Sequence, residues 1–181
     1  MNRLLTAPLL ALLLTLHLPA AGQTPAPPAA WTNHRRVLPD KLRELPVGLS
    51  LWHTPNPNYP EPNPAQPGGF VWKHSTVVRA DVADLTIVEC GSFIWYNEAG
   101  WQQNMRETPA EFAELFGCPG GQLRQGQVYT FPKNYRYADS SRGLYGGDAL
   151  WYILARDQQG RLYKGYGLLE TEATVRPTAA P

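Results

Sequence analysis

The chain reads as mainly β, an antiparallel β-sandwich with one short helix at about residues 108–117. Three observations predict this. From about residue 70 onward, short runs of β-branched and aromatic residues recur between turn-forming residues. Only one stretch combines the apolar spacing and the caps of a clear helix. No strand–helix–strand alternation signals a parallel sheet.

Residues 1–22 read as a signal peptide. Asn2 and Arg3 give a positive start, residues 4–18 an apolar run, and Pro19 to Gly22 small residues before Gln23. The run is shorter than the ~20 residues a bilayer needs, and no basic cluster follows to stop transfer. The expectation is export, periplasmic or extracellular, with no stable membrane insertion after cleavage.

Residues 23–30 (QTPAPPAA) form a Pro/Ala linker unable to bury apolar surface. Residues 31–53 form an N-terminal arm, with one or two helical turns at 39–45 (PDKLREL) and a short strand at 47–52 (VGLSLW). The six prolines of 54–69 oppose helix and ladder alike, so a polyproline-like loop or linker is expected there. The sandwich domain then spans 70–172.

Within it, 75–82 (STVVRADV) places Thr76, Val78, Ala80 and Val82 on one strand face. A turn at Ala83–Asp84 leads into 85–97 (LTIVECGSFIWYN), apolar nearly throughout and so covered on both faces. Gly91 suits a bulge. In 108–117 (TPAEFAELFG), Thr108 caps, Pro109 takes the first helical position and Glu111 completes a capping box. Phe112, Leu115 and Phe116 share a face, and Gly117 ends the helix left-handed. Residues 126–131 (GQVYTF) and 149–156 (ALWYILAR) are strands around a long irregular segment, 132–148. A type I turn at 157–160 (DQQG) closes a hairpin onto 161–170, and 173–181 is a disordered tail. Trp72 and Trp151, where strands begin, belong to the core.

The stretch Leu123-Arg124-Gln125-Gly126-Gln127-Val128-Tyr129 resembles the turn before a late strand of fibronectin type III and related immunoglobulin-like domains. The hairpin that follows, 149–167, is similar to their closing pair. The resemblance covers roughly 72–172 and implies a scaffold that often binds and seldom catalyses; the 108–117 helix is not part of its usual pattern. Fold alone does not set function.

Of 16 basic and 15 acidic residues, only Arg3 lies in the first 22, so the remainder is formally neutral. That balance excludes a phosphate-tracking surface, hence no nucleic acid, and a polybasic membrane segment. Cys90 and Cys118 read either as a disulfide, favoured by export, or as two buried thiols. No cofactor or metal is expected: no histidine follows Cys118 as a copper site would need, and His34, His53 and His74 look scattered, at the surface or at caps.

Glu89 and Asp148 are the carboxylate pair a small envelope hydrolase would use, although Glu89 is equally placed to pair across strands with Arg79. The aromatic signal is stronger. Tyr135, Tyr137 and Tyr145 share a loop with Asn134, Arg136, Asp139 and Arg142, and rings with polar tips suit sugars or a protein surface. Trp95, Tyr96, Asn97 and Trp101 form a second candidate platform. The reading is therefore an exported, non-enzymatic module that binds a cell-envelope glycan or another exported protein through Tyr135, Arg136, Tyr137, Asp139, Arg142 and Tyr145. The alternatives are the Glu89/Asp148 hydrolase and a structural accessory domain without a ligand.

Overall fold

The computed structural model describes residues 37–95 and 100–176. The expected signal peptide and Pro/Ala linker, His34, Tyr96, Asn97 and residues 177–181 lie outside the described residues.

A helical turn, α1 (Asp40–Arg43), precedes β1 (Leu49–Thr54), β2 (Pro60–Pro62), β3 (Phe70–Trp72), β4 (Ser75–Ala80), β5 (Leu85–Trp95) and β6 (Gln102–Glu107). Then come helix α2 (Pro109–Phe116), β7 (Gln122–Leu123), β8 (Val128–Phe131), β9 (Arg136–Ala138), β10 (Gly147–Arg156) and β11 (Leu162–Thr171). Among the described residues these form three sheets: β1-β4-β8, β11-β10-β5-β6 with β7 added to β5, and the small β2-β3-β9. Every ladder between named strands is antiparallel. No helix among the described residues is long and apolar enough to cross a membrane.

The first two sheets pack face to face. Leu49, Leu51, Val78, Ala80 and Tyr129 of one meet Ile87, Cys90, Ala149, Trp151, Ile153 and Ala155 of the other in one continuous core. The alternate residues of β10, Leu150, Tyr152 and Leu154, point the other way and pack with Phe93 against Leu42 of α1. That second cover explains why β5 and β10 are apolar on both faces. Where β1 crosses β11 the backbones nearly touch: a Cβ on Gly165 would sit 2.7 Å from the Leu49 Cβ, and one on Gly167 2.6 Å from the Leu51 carbonyl. Glycine at both positions is what permits the crossing.

Helix α2 forms as its local chemistry dictates. The Thr108 hydroxyl accepts the Glu111 amide, the Glu111 carboxylate accepts the Thr108 amide, and Gly117 at φ 64° ends the helix. Phe112 and Phe116 stack with centroids 4.3 Å apart and plug the open edge of the core.

Other elements depart from the sequence reading. Within the expected arm, 31–53, the strand expected at 47–52 does not stand apart: β1 runs along β4 with Leu49 opposite Ala80 and His53 opposite Thr76. The proline-rich stretch is likewise stitched to the body. The Asn58 backbone exchanges hydrogen bonds with Glu170 and Glu172, and the Asn56 side chain does the same with Leu168 and Glu170. Asparagines between the prolines thus supply bonds that proline nitrogens lack. Pro60–Pro62 even pairs with β3 as an edge strand, where a missing donor is tolerated. The extra residue in β5 is Val88, skipped between Glu89 opposite Leu154 and Ile87 opposite Ala155, whereas against β6 the extra residue is Asn104 of β6. Gly91 itself makes room for the Tyr152 hydroxyl, 2.8 Å from where a Cβ would stand.

Candidate functional site

At one end of the sandwich a cavity of about 760 Å³ lies between the second main sheet and the segment 134–147. Its deep wall comes from the inward faces of the second sheet: Ser92 and Ile94 of β5, Ala149 and Trp151 of β10, and Leu169 and Thr171 of β11. His74, just before β4, and Met105 and the exposed Asn104 of β6 also line the cavity. The mouth is formed by Tyr135, Arg136, Tyr137 and Tyr145. Tyr137 and Tyr145 are 60% and 51% exposed, while Trp151 and Ser92 are buried, which sets the outside and the inside of the cavity.

The mouth is held by local pairing. The Asn134 amide donates to the His74 carbonyl (3.1 Å), and its side chain donates to the Thr76 hydroxyl (2.8 Å). Strand β9 then pairs with β3, with Arg136 opposite Trp72. Two-residue spacing puts Tyr135 and Tyr137 on the same side, ring centroids 6.4 Å apart.

Arg136 is the charged member. Its guanidinium lies over the rings of Trp72 (4.3 Å) and Tyr145 (4.2 Å), two cation–π contacts. It donates to the Thr171 hydroxyl (3.3 Å) and the Tyr145 carbonyl (3.2 Å). Burial lowers its pKa, against the opposing pull of Tyr145.

Behind the cavity sits a buried polar group that corrects the sequence reading. His53 and His74 are neither scattered nor at the surface. Each is 5% exposed, and their rings meet edge to face at 5.8 Å. His53 Nδ1 pairs with the Thr76 hydroxyl (2.9 Å) and His74 Nδ1 with the Asn58 amide (3.2 Å), while both Nε2 atoms are buried without a partner. Burial depresses both pKa values to about 4, for His53 with a further push from His74. Both imidazoles are therefore neutral near neutral pH. The β1–β4 register brings the two rings together, a non-local fact.

Of the residues expected to bind, Tyr135, Arg136, Tyr137 and Tyr145 share the cavity. Asp139 and Arg142 stand outside its lining. Asp139 receives the Gln66 side-chain amide (3.2 Å), and Arg142 is exposed on a 3-10 turn, Ser141–Gly143. Residues the sequence reading missed include His74, Asn104 and Met105, which reach the cavity from strands remote in the chain.

Glu89 and Asp148 are not brought together. Asp148 pairs with Trp95 and Glu89 with Leu154, near opposite ends of the β5–β10 ladder, so the carboxylates stand about 20 Å apart at the usual strand rise. A glycosidase pair needs roughly 5–9.5 Å. Nor does Glu89 pair with Arg79, because β4 and β5 belong to different sheets. Arg79 bonds Asp81 (2.7 Å) instead. Glu89 lies on the covered outer face, where burial would raise its pKa, but Lys41, the Tyr152 hydroxyl and Arg106 (2.9 Å) together hold it below the usual carboxylate range.

Cys90 and Cys118 are free thiols buried in the main core, not a disulfide. Burial, with Glu107 nearby, pushes the Cys90 thiol up to about 12. Trp95 and Trp101 do meet, edge to face at 5.3 Å, but away from the cavity. Among the described residues no group of three or more His, Cys, Asp or Glu is arranged to hold a metal ion.

No known protein family matches the chain, and no curated protein does. Among solved structures it is similar to one from Bordetella pertussis named as an ApaA protein, with a TM-score of 0.43 and 15% identity over 72% of this chain and 98% of that one. That similarity is too weak to bear on function.

Proposed function

We propose that the chain is an exported, non-enzymatic binding module that holds a saccharide of a cell-envelope glycan in the end cavity of its sandwich. The observation that carries this reading is the cavity itself, about 760 Å³ and rimmed by Tyr135, Tyr137 and Tyr145. A concave site of that size suits a small ligand, whereas a protein partner needs a broad, flatter patch. Tyrosine rings offer apolar faces to sugar C–H groups and hydroxyl tips to sugar oxygens. Export is supported by the leader-like residues 1–22 and a non-enzymatic role by the wide separation of Glu89 and Asp148.

The sandwich is of the immunoglobulin-like kind in this reading. Support comes from the Leu123–Tyr129 turn, in which the Tyr129 hydroxyl accepts the backbone amide of Arg124 (3.0 Å). A tyrosine folded back on the preceding backbone is a recurring corner of such domains.

The test is a panel of envelope glycans and envelope extracts, screened against the purified protein by thermal shift and pull-down. A saccharide is expected to bind, and simultaneous Tyr135→Ala, Tyr137→Ala and Tyr145→Ala substitution is expected to abolish that binding with the unfolding midpoint little changed. Binding that survives the triple substitution, or capture of a protein in place of any glycan, overturns the assignment.

A further inference from the structure

We propose that the saccharide bound here is an acidic one, a sugar unit carrying a carboxylate, and that Arg136 reads its charge. This inference rests on the saccharide-binding reading above and adds the chemistry of the ligand.

The starting point is a guanidinium without a counter-charge. Arg136 is half-buried, and its hydrogen bonds go to two neutral oxygens, the Thr171 hydroxyl and the Tyr145 carbonyl. Among the described residues no carboxylate pairs with it. Asp139 accepts from Gln66, and Asp148 lies on the β10 face of Leu150 and Tyr152, which point away from the cavity. A partly desolvated cation that lacks a partner is costly, and an incoming anion removes that cost. Among the described residues that line the cavity, Arg136 is the one Lys, Arg, Asp or Glu.

Geometry narrows the anion to a carboxylate. A guanidinium carries five donors in a planar fork that matches a carboxylate in two parallel hydrogen bonds. Here contacts with the Trp72 and Tyr145 rings and two hydrogen bonds already hold the guanidinium, so little freedom is lost on binding. A phosphate is usually met by several cations or a nest of backbone amides, and a single arginine in an aromatic rim offers neither.

The rest of the cavity argues for a sugar acid over a plain acyl or aromatic acid. Asn104 donates to the Ser92 hydroxyl (3.1 Å), and Asn134 donates to Thr76, so both side-chain carbonyls remain to accept from ligand hydroxyls. An acyl chain offers them no donor. The apolar part of the wall, Ile94, Met105, Trp151 and Leu169, fits the C–H face of a sugar ring or an N-acyl methyl.

The experiment is a calorimetric titration of the purified protein with matched pairs. A hexuronic disaccharide and N-acetylmuramic acid are each compared with a carboxyl-reduced counterpart, with hexanoate and inorganic phosphate as non-sugar anions. At least one acid is expected to bind about 10- to 100-fold more tightly than its reduced form, the range of a charge-assisted hydrogen bond. Arg136→Gln is expected to bring that ratio to about one, and Arg136→Lys to retain part of it. Equal affinity within every pair overturns the acidic-ligand proposal while leaving saccharide binding standing. Failure of every saccharide, including the neutral ones, or binding of hexanoate or phosphate alone, brings down both. A preference that persists in Arg136→Gln removes Arg136 from the role. If the glutamine variant does not fold, the ratio measured on the unaltered protein still decides.

Discussion

Mild acid should destabilise this protein through His53 and His74, and the size of the effect follows from their burial. Both imidazoles have pKa values near 4 in the folded chain against 6.5 when exposed, because each is 5% exposed and neither meets a carboxylate. Above 6.5 both states are neutral and the full stability is present. As pH falls below 6.5 the unfolded chain takes up protons that the folded chain refuses, so stability is lost progressively until the folded pKa is reached. Integrated from about pH 7 to about pH 5, the linkage relation gives a loss of about 2 kcal/mol per histidine, or about 4 kcal/mol for the pair. Asp81, Asp84, Glu89, Glu111 and Asp157 have carboxyls held low, so their contributions disappear only at more acidic pH. Glu107, raised by burial and then by Glu111, gains stability on acidification and offsets a fraction near the carboxylate range. Urea unfolding across that pH interval measures the total, and a His53→Gln, His74→Gln double variant isolates the pair. The double variant should lose most of the slope. Equal slopes in the two proteins would refute the argument, as would NMR signals of the His53 and His74 imidazoles that titrate near 6.5 in the native state.

Three further outcomes test separate parts of the structure. Thr108→Ala removes the hydroxyl that accepts the Glu111 amide and should cost about 1 kcal/mol, seen as a drop of a few degrees in thermal midpoint. Phe112→Ala empties a fully buried site stacked on Phe116 and should cost about 3–5 kcal/mol in urea unfolding; a loss under about 1 kcal/mol would mean that α2 is not anchored in the core. A thiol reagent should find neither Cys90 nor Cys118 in the native protein and both in denaturant without added reductant, since the thiols are free and buried. Absence of thiol signal after denaturation would show that they are bonded.

What is legible in the sequence divides along the range of the interactions concerned. Helix α2 can be read because its determinants, Thr108, Pro109, Glu111 and Gly117, lie within ten positions and act on their own backbone. The β10–β11 hairpin is readable for the same reason, with Asp157 and Gly160 closing it locally. Strand β6, QQNMRE, shows no apolar alternation and carries no strand signal of its own. Its place comes from pairing with β5 and from the Gln103 side chain donating to the Ser92 carbonyl (3.1 Å). His53 does carry a signal, since Leu49, Leu51 and His53 alternate onto the core face, but the meeting with His74 depends on strand register. Glu89 shows the same limit, as its partners Lys41 and Arg106 come from α1 and β6.

The site repeats this division, and that bears on how its specificity arises. Tyr135, Arg136, Tyr137 and Tyr145 are close along the chain, so an aromatic, basic rim is visible as a cluster in the sequence itself. Much of the remaining lining comes from β5, β6, β10 and β11, and no local pattern marks Asn104 or Met105 as its members. The surroundings that leave Arg136 without a counter-charge are not in the cluster either. They come from the pairing of β9 with β3, which sets Arg136 opposite Trp72 and beside neutral oxygens only. Had the register brought a carboxylate to Arg136 instead, the same tyrosines would frame a neutral pocket, because the guanidinium would already be satisfied. The recognition of charge proposed for this site would therefore rest on sheet topology acting on one arginine.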